Sequence, residues 1–139
     1  MSRVVVCAVL IAIVGFSEGR ANAAEPGAGR FDYPLAGSCV DSSAGFFVTG
    51  TVWEAEDPPA YKALNYEIKL FDSDGTTLLK ETSGQSYSFG GFYDYMPTFN
   101  PSNSFGYLQL EVQNTNGTWS LGETIMIYFG KPTSPCPSI

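Results

Sequence analysis

The chain has 139 residues, 7 basic and 14 acidic side chains, no histidine, and a formal net charge of −7. That balance excludes nucleic-acid recognition, since phosphates require clustered lysine and arginine. Without histidine, the Ser-His-Asp and Cys-His forms of nucleophilic catalysis are excluded as well.

The first stretch, "MSRVVVCAVLIAIVGFSEGRANAAEP", has a basic start at Arg3 and a short apolar run from Val4 to Phe16. Ala21 and Ala23 then stand where a signal peptidase reads small residues. Residues 1–23 are therefore expected to be a secretory signal peptide, because the run is too short and wrongly flanked for a membrane anchor. Cys7, in "VVVCAV", lacks the preceding small residue of a lipidation site and would leave with the signal. Arg3, Arg20 and Glu18 would leave too, so the mature chain would hold five basic and thirteen acidic residues, a net charge of −8. No further apolar run could span a membrane. The expected location is secreted, or periplasmic within the cell envelope.

Residues 24–30, small and polar, read as a flexible leader. Residues 31–130 are the expected domain, and residues 131–139 a proline-containing tail. Cys39 and Cys136 survive signal cleavage, and an even pair in an exported chain reads as one disulfide, the alternative being two free thiols. A zinc site lacks both histidine and a close cysteine pair.

"FFVTGTVW" (Phe46–Trp53) is rich in β-branched and aromatic residues and predicts a strand. "EAEDPPAYKA" then reads as a loop. "LNYEIKLF" (Leu64–Phe71) alternates with the period of a half-buried strand. "TTLLKE" follows, and "FYDYMPTF" (Phe92–Phe99) is extended, with Pro97 pushing its end to an edge or out of the sheet. "YLQLEVQ" (Tyr107–Gln113) alternates clearly, and "ETIMIYF" (Glu123–Phe129) closes the series. No stretch keeps a helical period over three turns. The pattern predicts an all-β fold, an immunoglobulin-like β-sandwich of two sheets, with a small β-barrel as the alternative.

Between two of these strands, Asp72, Asp74 and Gly75 imitate the start of a calcium loop. Counting from Asp72, position five is Thr76 and position twelve is Ser83, so the bidentate glutamate is missing. Asp-Gly between alternating apolar runs is a hairpin signal, as is Asn116-Gly117. No metal site and no cofactor are expected.

Four pieces in order, "FFVTGTVWEAE", "LNYEIKLFDSDGTTLL", "GGFYDYMPTF" and "GYLQLEVQNTNGTWSLGETIMIYF", resemble the immunoglobulin-like domain of bacterial spore germination and related envelope proteins. The first piece resembles that domain's first strand and the last its final hairpin; the likeness runs from about Phe31 to Phe129. The departures are Asn-Gly in place of Asp-Gly at 116–117, no proline near Ile127, an added cysteine pair, and a domain standing alone. The resemblance implies an extracellular, non-catalytic binding or structural module facing a protein or a cell-wall polymer.

Glu54, Glu56, Asp57 and Asp94 are the obvious candidates for a glycosidase carboxylate pair, and they read more simply as an acidic solvated loop plus a surface aspartate. For binding, "SYSFGGFYDYMPTF" (Ser86–Phe99) concentrates aromatics. As a strand it would set Tyr93 and Tyr95 on one face and Phe92 and Asp94 on the other. Tyr87, Tyr93 and Tyr95 are candidate contacts, against the alternative that all pack inward. The loop carrying Glu54, Glu56 and Asp57 is a second candidate surface. A protease inhibitor using the proline-bearing loops and a carbohydrate-binding module using exposed tyrosines are the alternative functions. Asn116 is an N-glycosylation acceptor only if the source is eukaryotic.

Overall fold

The computed structural model describes residues 27–56 and 58–137, so the expected signal peptide, residues 24–26, Asp57 and residues 138–139 lie outside the described residues. Among the described residues eight strands follow in order: β1 Gly27–Tyr33, β2 Cys39–Asp41, β3 Phe46–Glu54, β4 Asn65–Asp72, β5 Leu78–Gln85, β6 Gly91–Met96, β7 Phe105–Gln113 and β8 Trp119–Gly130. No helix is present among the described residues. The three-stranded sheet runs β1-β3-β6 and the five-stranded sheet β2-β8-β7-β4-β5, antiparallel throughout except for β2 beside β8.

In immunoglobulin lettering this is A-B-E against A′-G-F-C-C′, so the chain is an immunoglobulin-like β-sandwich. The cysteine pair usual between the B and F strands is missing, since neither β3 nor β7 contains cysteine. Instead Cys39 at the start of β2 bonds Cys136 in the tail, with Cα atoms 5.7 Å apart. The expected disulfide is therefore present.

Strict alternation builds the core. β4 sends Tyr66, Ile68 and Leu70 inward, and β7 sends Leu108, Leu110 and Val112, to meet Val48 and Val52 of β3 and Phe92 and Met96 of β6. Each such side chain contributes about 1.5–3 kcal/mol by leaving water. Tyr66 and Phe92 bridge the sheets with ring centroids 4.6 Å apart, and Phe99 joins Phe46 and Phe129 at one end.

Two expectations need correction. Gly27–Arg30, read as flexible leader, are the first half of β1, paired with β3 from Gly27↔Glu54 onward. "FFVTGTVWEAE", compared with a first strand, is the third, because β1 and β2 precede it. The 72–75 segment is a turn: Gly75 has φ of 76°, and Asp74 accepts hydrogen bonds from the Thr76 and Thr77 N–H groups at 3.0 and 2.9 Å. Those bonds, led by the Thr77 hydroxyl, hold the Asp74 carboxyl down to about 2. Asn116-Gly117 likewise turns β7 into β8, with Gly117 at φ 97° donating to the Asn114 carbonyl.

Candidate functional site

The outward residues of the three-stranded sheet follow from the same alternation. β3 presents Phe47, Thr49, Thr51 and Trp53, and β6 presents Gly91, Tyr93 and Tyr95. Pairing places Phe47 opposite Tyr95 and Thr49 opposite Tyr93, with Tyr33 of β1 across the other side of Thr49. Phe47 touches both tyrosines, at centroid distances of 5.3 Å to Tyr93 and 5.1 Å to Tyr95. Tyr93 is 59% exposed, Tyr33 52% and Phe47 50%. The Tyr95 hydroxyl donates to the Ala44 carbonyl and fixes the edge of the cluster.

Further along, Phe89 folds over Gly91, where an added Cβ would sit 2.6 Å from its ring, and Tyr87 stacks on Phe89 at 5.8 Å. Trp53 packs against Tyr61 and lies under the Arg30 guanidinium, 5.8 Å from the ring centroid. Arg30 in turn pairs with Asp32 at 3.0 Å, and the Thr51 hydroxyl donates to Asp32. The Asp32 partner raises the Arg30 pKa further. The face thus carries one compensated ion pair within a chain of strong acid excess. Seven exposed rings of about 200 Å² each, roughly half uncovered, expose on the order of 700 Å², close to one side of a standard protein interface.

The sequence candidates divide. Tyr93 and Tyr95 lie together and Tyr87 lies at the margin, whereas Phe92 and Phe99 are core. Glu54, read as part of an exposed acidic loop, is only 5% exposed and is not a contact residue. It accepts Lys62 Nζ at 2.9 Å, and the Thr115 N–H and hydroxyl at 2.7 and 2.8 Å. Burial alone would raise its pKa, but the bonds from Thr115 and Lys62 outweigh burial and hold it below the usual carboxylate range. Glu56 is exposed, and Asp57 lies outside the described residues.

Asp94 is not a free surface carboxylate either. It accepts the Tyr66 hydroxyl at 2.8 Å, the Thr82 hydroxyl at 3.1 Å and the Tyr95 N–H at 2.8 Å, and so ties the β6 edge to β4 and β5. Burial, then the Asp94 bond, raises the Tyr66 pKa well above normal. No group of three or more His, Cys, Asp or Glu able to hold a metal occurs among the described residues. Asn116 is exposed at its turn. Sequence reasoning missed Phe47, Tyr33, Trp53 and Arg30. Only the β3 register, which turns every second residue of an apolar run outward, could have separated Phe47 from Phe46.

No family model matches the chain, and no curated protein matches it. Among solved structures, the crystal structure of Dpr1 IG1 bound to DIP-eta IG1 is similar, with a TM-score of 0.34 and 10% identity, covering 74% of this chain and 94% of that one. The assignment of fold rests on the strand order itself. No helix among the described residues is long and apolar enough to cross a membrane.

Proposed function

We propose that this chain is an exported, non-catalytic immunoglobulin-like module of the cell envelope that binds an extracellular protein through the outer face of the three-stranded sheet. The aromatic face is the observation that carries this reading. Exposed aromatic side chains gathered on one sheet face mark interaction sites, and tyrosine combines contact area with a polar tip at small conformational cost. Export is supported by the N-terminal signal pattern together with the disulfide. The non-catalytic reading is supported by the engagement of Glu54 and Asp94 in structural hydrogen bonds.

A protein partner is favoured over a flat cell-wall polymer by the ring planes. Tyr93 and Tyr95 lie at 33° and 62° to Phe47, which forms a corrugated surface for side chains rather than a level stacking platform. The test is capture from cell-envelope extract by the mature domain against a Tyr33→Ser/Tyr93→Ser control, which leaves core residues untouched. Specific proteins retained by the parent and lost by the control are expected. Equal recovery by both would refute the assignment of the face, and retention of wall polymer alone would replace the protein partner with a glycan.

A further inference from the structure

A second, separate feature lies on the outer face of the five-stranded sheet, at the end where β8 begins. The register there sets Gln85 of β5 opposite Asn65 of β4, Asn65 opposite Gln113 of β7, and Gln113 opposite Trp119 of β8. One row across four strands thus carries three carboxamides and an indole, about 14 Å from end to end at the usual strand spacing. Two clefts adjoin along it and share Asn65. One, of about 310 Å³, lies between Trp119 and Ser83–Gly84; the other, of about 210 Å³, runs past Gln85 and Gln113 to Asn114. Because Trp119 shares the larger cleft with Asn65 and Glu67 of β4, its indole lies along the row rather than away from it.

The amides are held in set orientations. Asn65 Nδ2 donates to Gln113 Oε1 at 2.9 Å, and Gln113 Nε2 donates to the Gly117 carbonyl at 3.0 Å. Each bond uses one donor, so a second N–H on each amide and the Asn65 carbonyl oxygen stay open to a ligand. The Gln85 amide has no partner among the described residues. In the wall of the smaller cleft, buried Asn114 accepts the Thr118 N–H at 3.0 Å, which fixes that side. Trp119 is 42% exposed and stacks on no other ring among the described residues.

These features define a ligand by exclusion and by fit. Neither cleft has a basic residue in its walls, and the single acid, Glu67, lies 3.7 Å from Lys69, so the row offers no free charge to select an ion. What remains is a line of neutral groups, each able to donate and accept, ending in a flat apolar ring. Adjacent hydroxyls of a sugar also donate and accept, and they meet a carboxamide in paired hydrogen bonds. The C–H hydrogens on the face of a sugar ring carry the partial positive charge that the negative face of an indole attracts. β4 and β7 are paired on both sides, so at Asn65 and Gln113 recognition falls to side chains and not to an added strand. Amides fixed before binding lose little freedom on contact.

We propose that this row is a binding site for a short neutral oligosaccharide, with one sugar ring stacked on Trp119 and the hydroxyls of that ring and its neighbours bonded to Gln113, Asn65 and Gln85. It lies on the sheet opposite the aromatic face and is independent of the protein partner proposed there.

The test is isothermal titration calorimetry of the disulfide-bonded exported chain with tetrasaccharides of β-linked glucose, α-linked glucose, mannose and N-acetylglucosamine. Tetragalacturonate is the charged comparison and an amide-rich tetrapeptide the peptide comparison. At least one neutral tetrasaccharide should bind, with both comparisons at least tenfold weaker. Trp119→Ala should weaken binding at least tenfold, and Gln85→Ala and Asn65→Ala severalfold each, with far-UV circular dichroism unchanged. Tyr33→Ser/Tyr93→Ser should leave binding unaltered. Binding of no neutral tetrasaccharide, or indifference to both Trp119→Ala and Gln85→Ala, would overturn the proposal. Tighter binding of tetragalacturonate would overturn the selection of a neutral ligand, and equal binding of the tetrapeptide would replace the oligosaccharide with a peptide. Loss of binding only in Tyr33→Ser/Tyr93→Ser would move the sugar to the aromatic face and refute this site.

Discussion

Removal of the disulfide by paired Cys39→Ser and Cys136→Ser substitutions separates two roles for the bond. The cysteines are 97 residues apart in sequence, and closing a loop of that size removes about 4.7 kcal/mol of unfolded-chain entropy. Part of this is offset in the folded state. After Gly130 the tail's own anchors are a Lys131–Ser134 turn and a 3.4 Å hydrogen bond from the Cys136 N–H to Asp41, so cutting the bond loosens it. Two or three residues regaining about 1 kcal/mol each reduce the net loss to roughly 2–3 kcal/mol.

For a domain of this size that is a fall in Tm of about 10 °C. Far-UV circular dichroism at 25 °C should stay unchanged, because the core pairs of β4, β7 and β8 do not depend on the tail. Urea unfolding followed by fluorescence of Trp53 and Trp119 measures the difference. A loss under about 0.5 kcal/mol would show that the freed tail cancels the loop term entirely. Loss of sheet signal at 25 °C would show that the bridge holds the sandwich itself.

Three further outcomes test particular residues. Glu54→Ala removes three hydrogen bonds to a buried carboxylate and should destabilise by about 2–3 kcal/mol in the same urea assay. The folded pKa values of Glu54 and Asp72 are lowered, the latter by the Ser102 and Ser73 N–H bonds overcoming burial. Their stabilisation is therefore complete above the unfolded carboxylate pKa near 4 and is lost as pH falls through the folded values. Melting curves at stepped pH should show a decline below about pH 4.5, smaller in Glu54→Gln. Gly50→Ala would drive a methyl into the Arg30 carbonyl oxygen and the Phe92 ring, costing about 1–3 kcal/mol, whereas Gly75→Ala meets open space and costs about 1 kcal/mol for its positive φ. Equal effects of the two in denaturant titration would contradict this packing.

The strands legible in the sequence are those whose inward side chains are large. In β4 and β7, Ile68, Leu70, Leu108 and Leu110 alternate with polar residues, and the structure follows the pattern. β1 hid for the opposite reason. Its inward positions include Gly27 and Gly29, which leave room for Val112 and Leu110: an added Cβ would lie 2.9 Å from Val112 Cγ1 and 2.7 Å from Leu110 Cδ2. The core reaches up to that backbone instead of the strand reaching down, so half of the alternation is written in glycine, which reads as flexibility. At three residues, β2 is too short to show a period.

The same division holds at the aromatic face. Tyr93 and Tyr95 sit two apart on a strand around the half-buried Asp94, so period alone puts them together, but nothing local says whether that face is covered. Its exposure is set by the absence, among the described residues, of any layer beyond the β1-β3-β6 sheet, a property of the topology rather than of local sequence. Glu54 shows the converse. Its neighbours Glu56, Asp57, Pro58 and Pro59 mark a solvated loop, yet its fate is decided by Thr115, 61 residues away at the β7–β8 turn. A carboxylate that closes a non-local hydrogen-bond set carries the same local signature as one in water, and only the fold distinguishes them. The proposed contact residues Tyr33, Phe47 and Tyr93 are those over which the fold packs nothing among the described residues, whereas the conspicuous carboxylates Glu54 and Asp94 are held in hydrogen bonds between distant strands and turns.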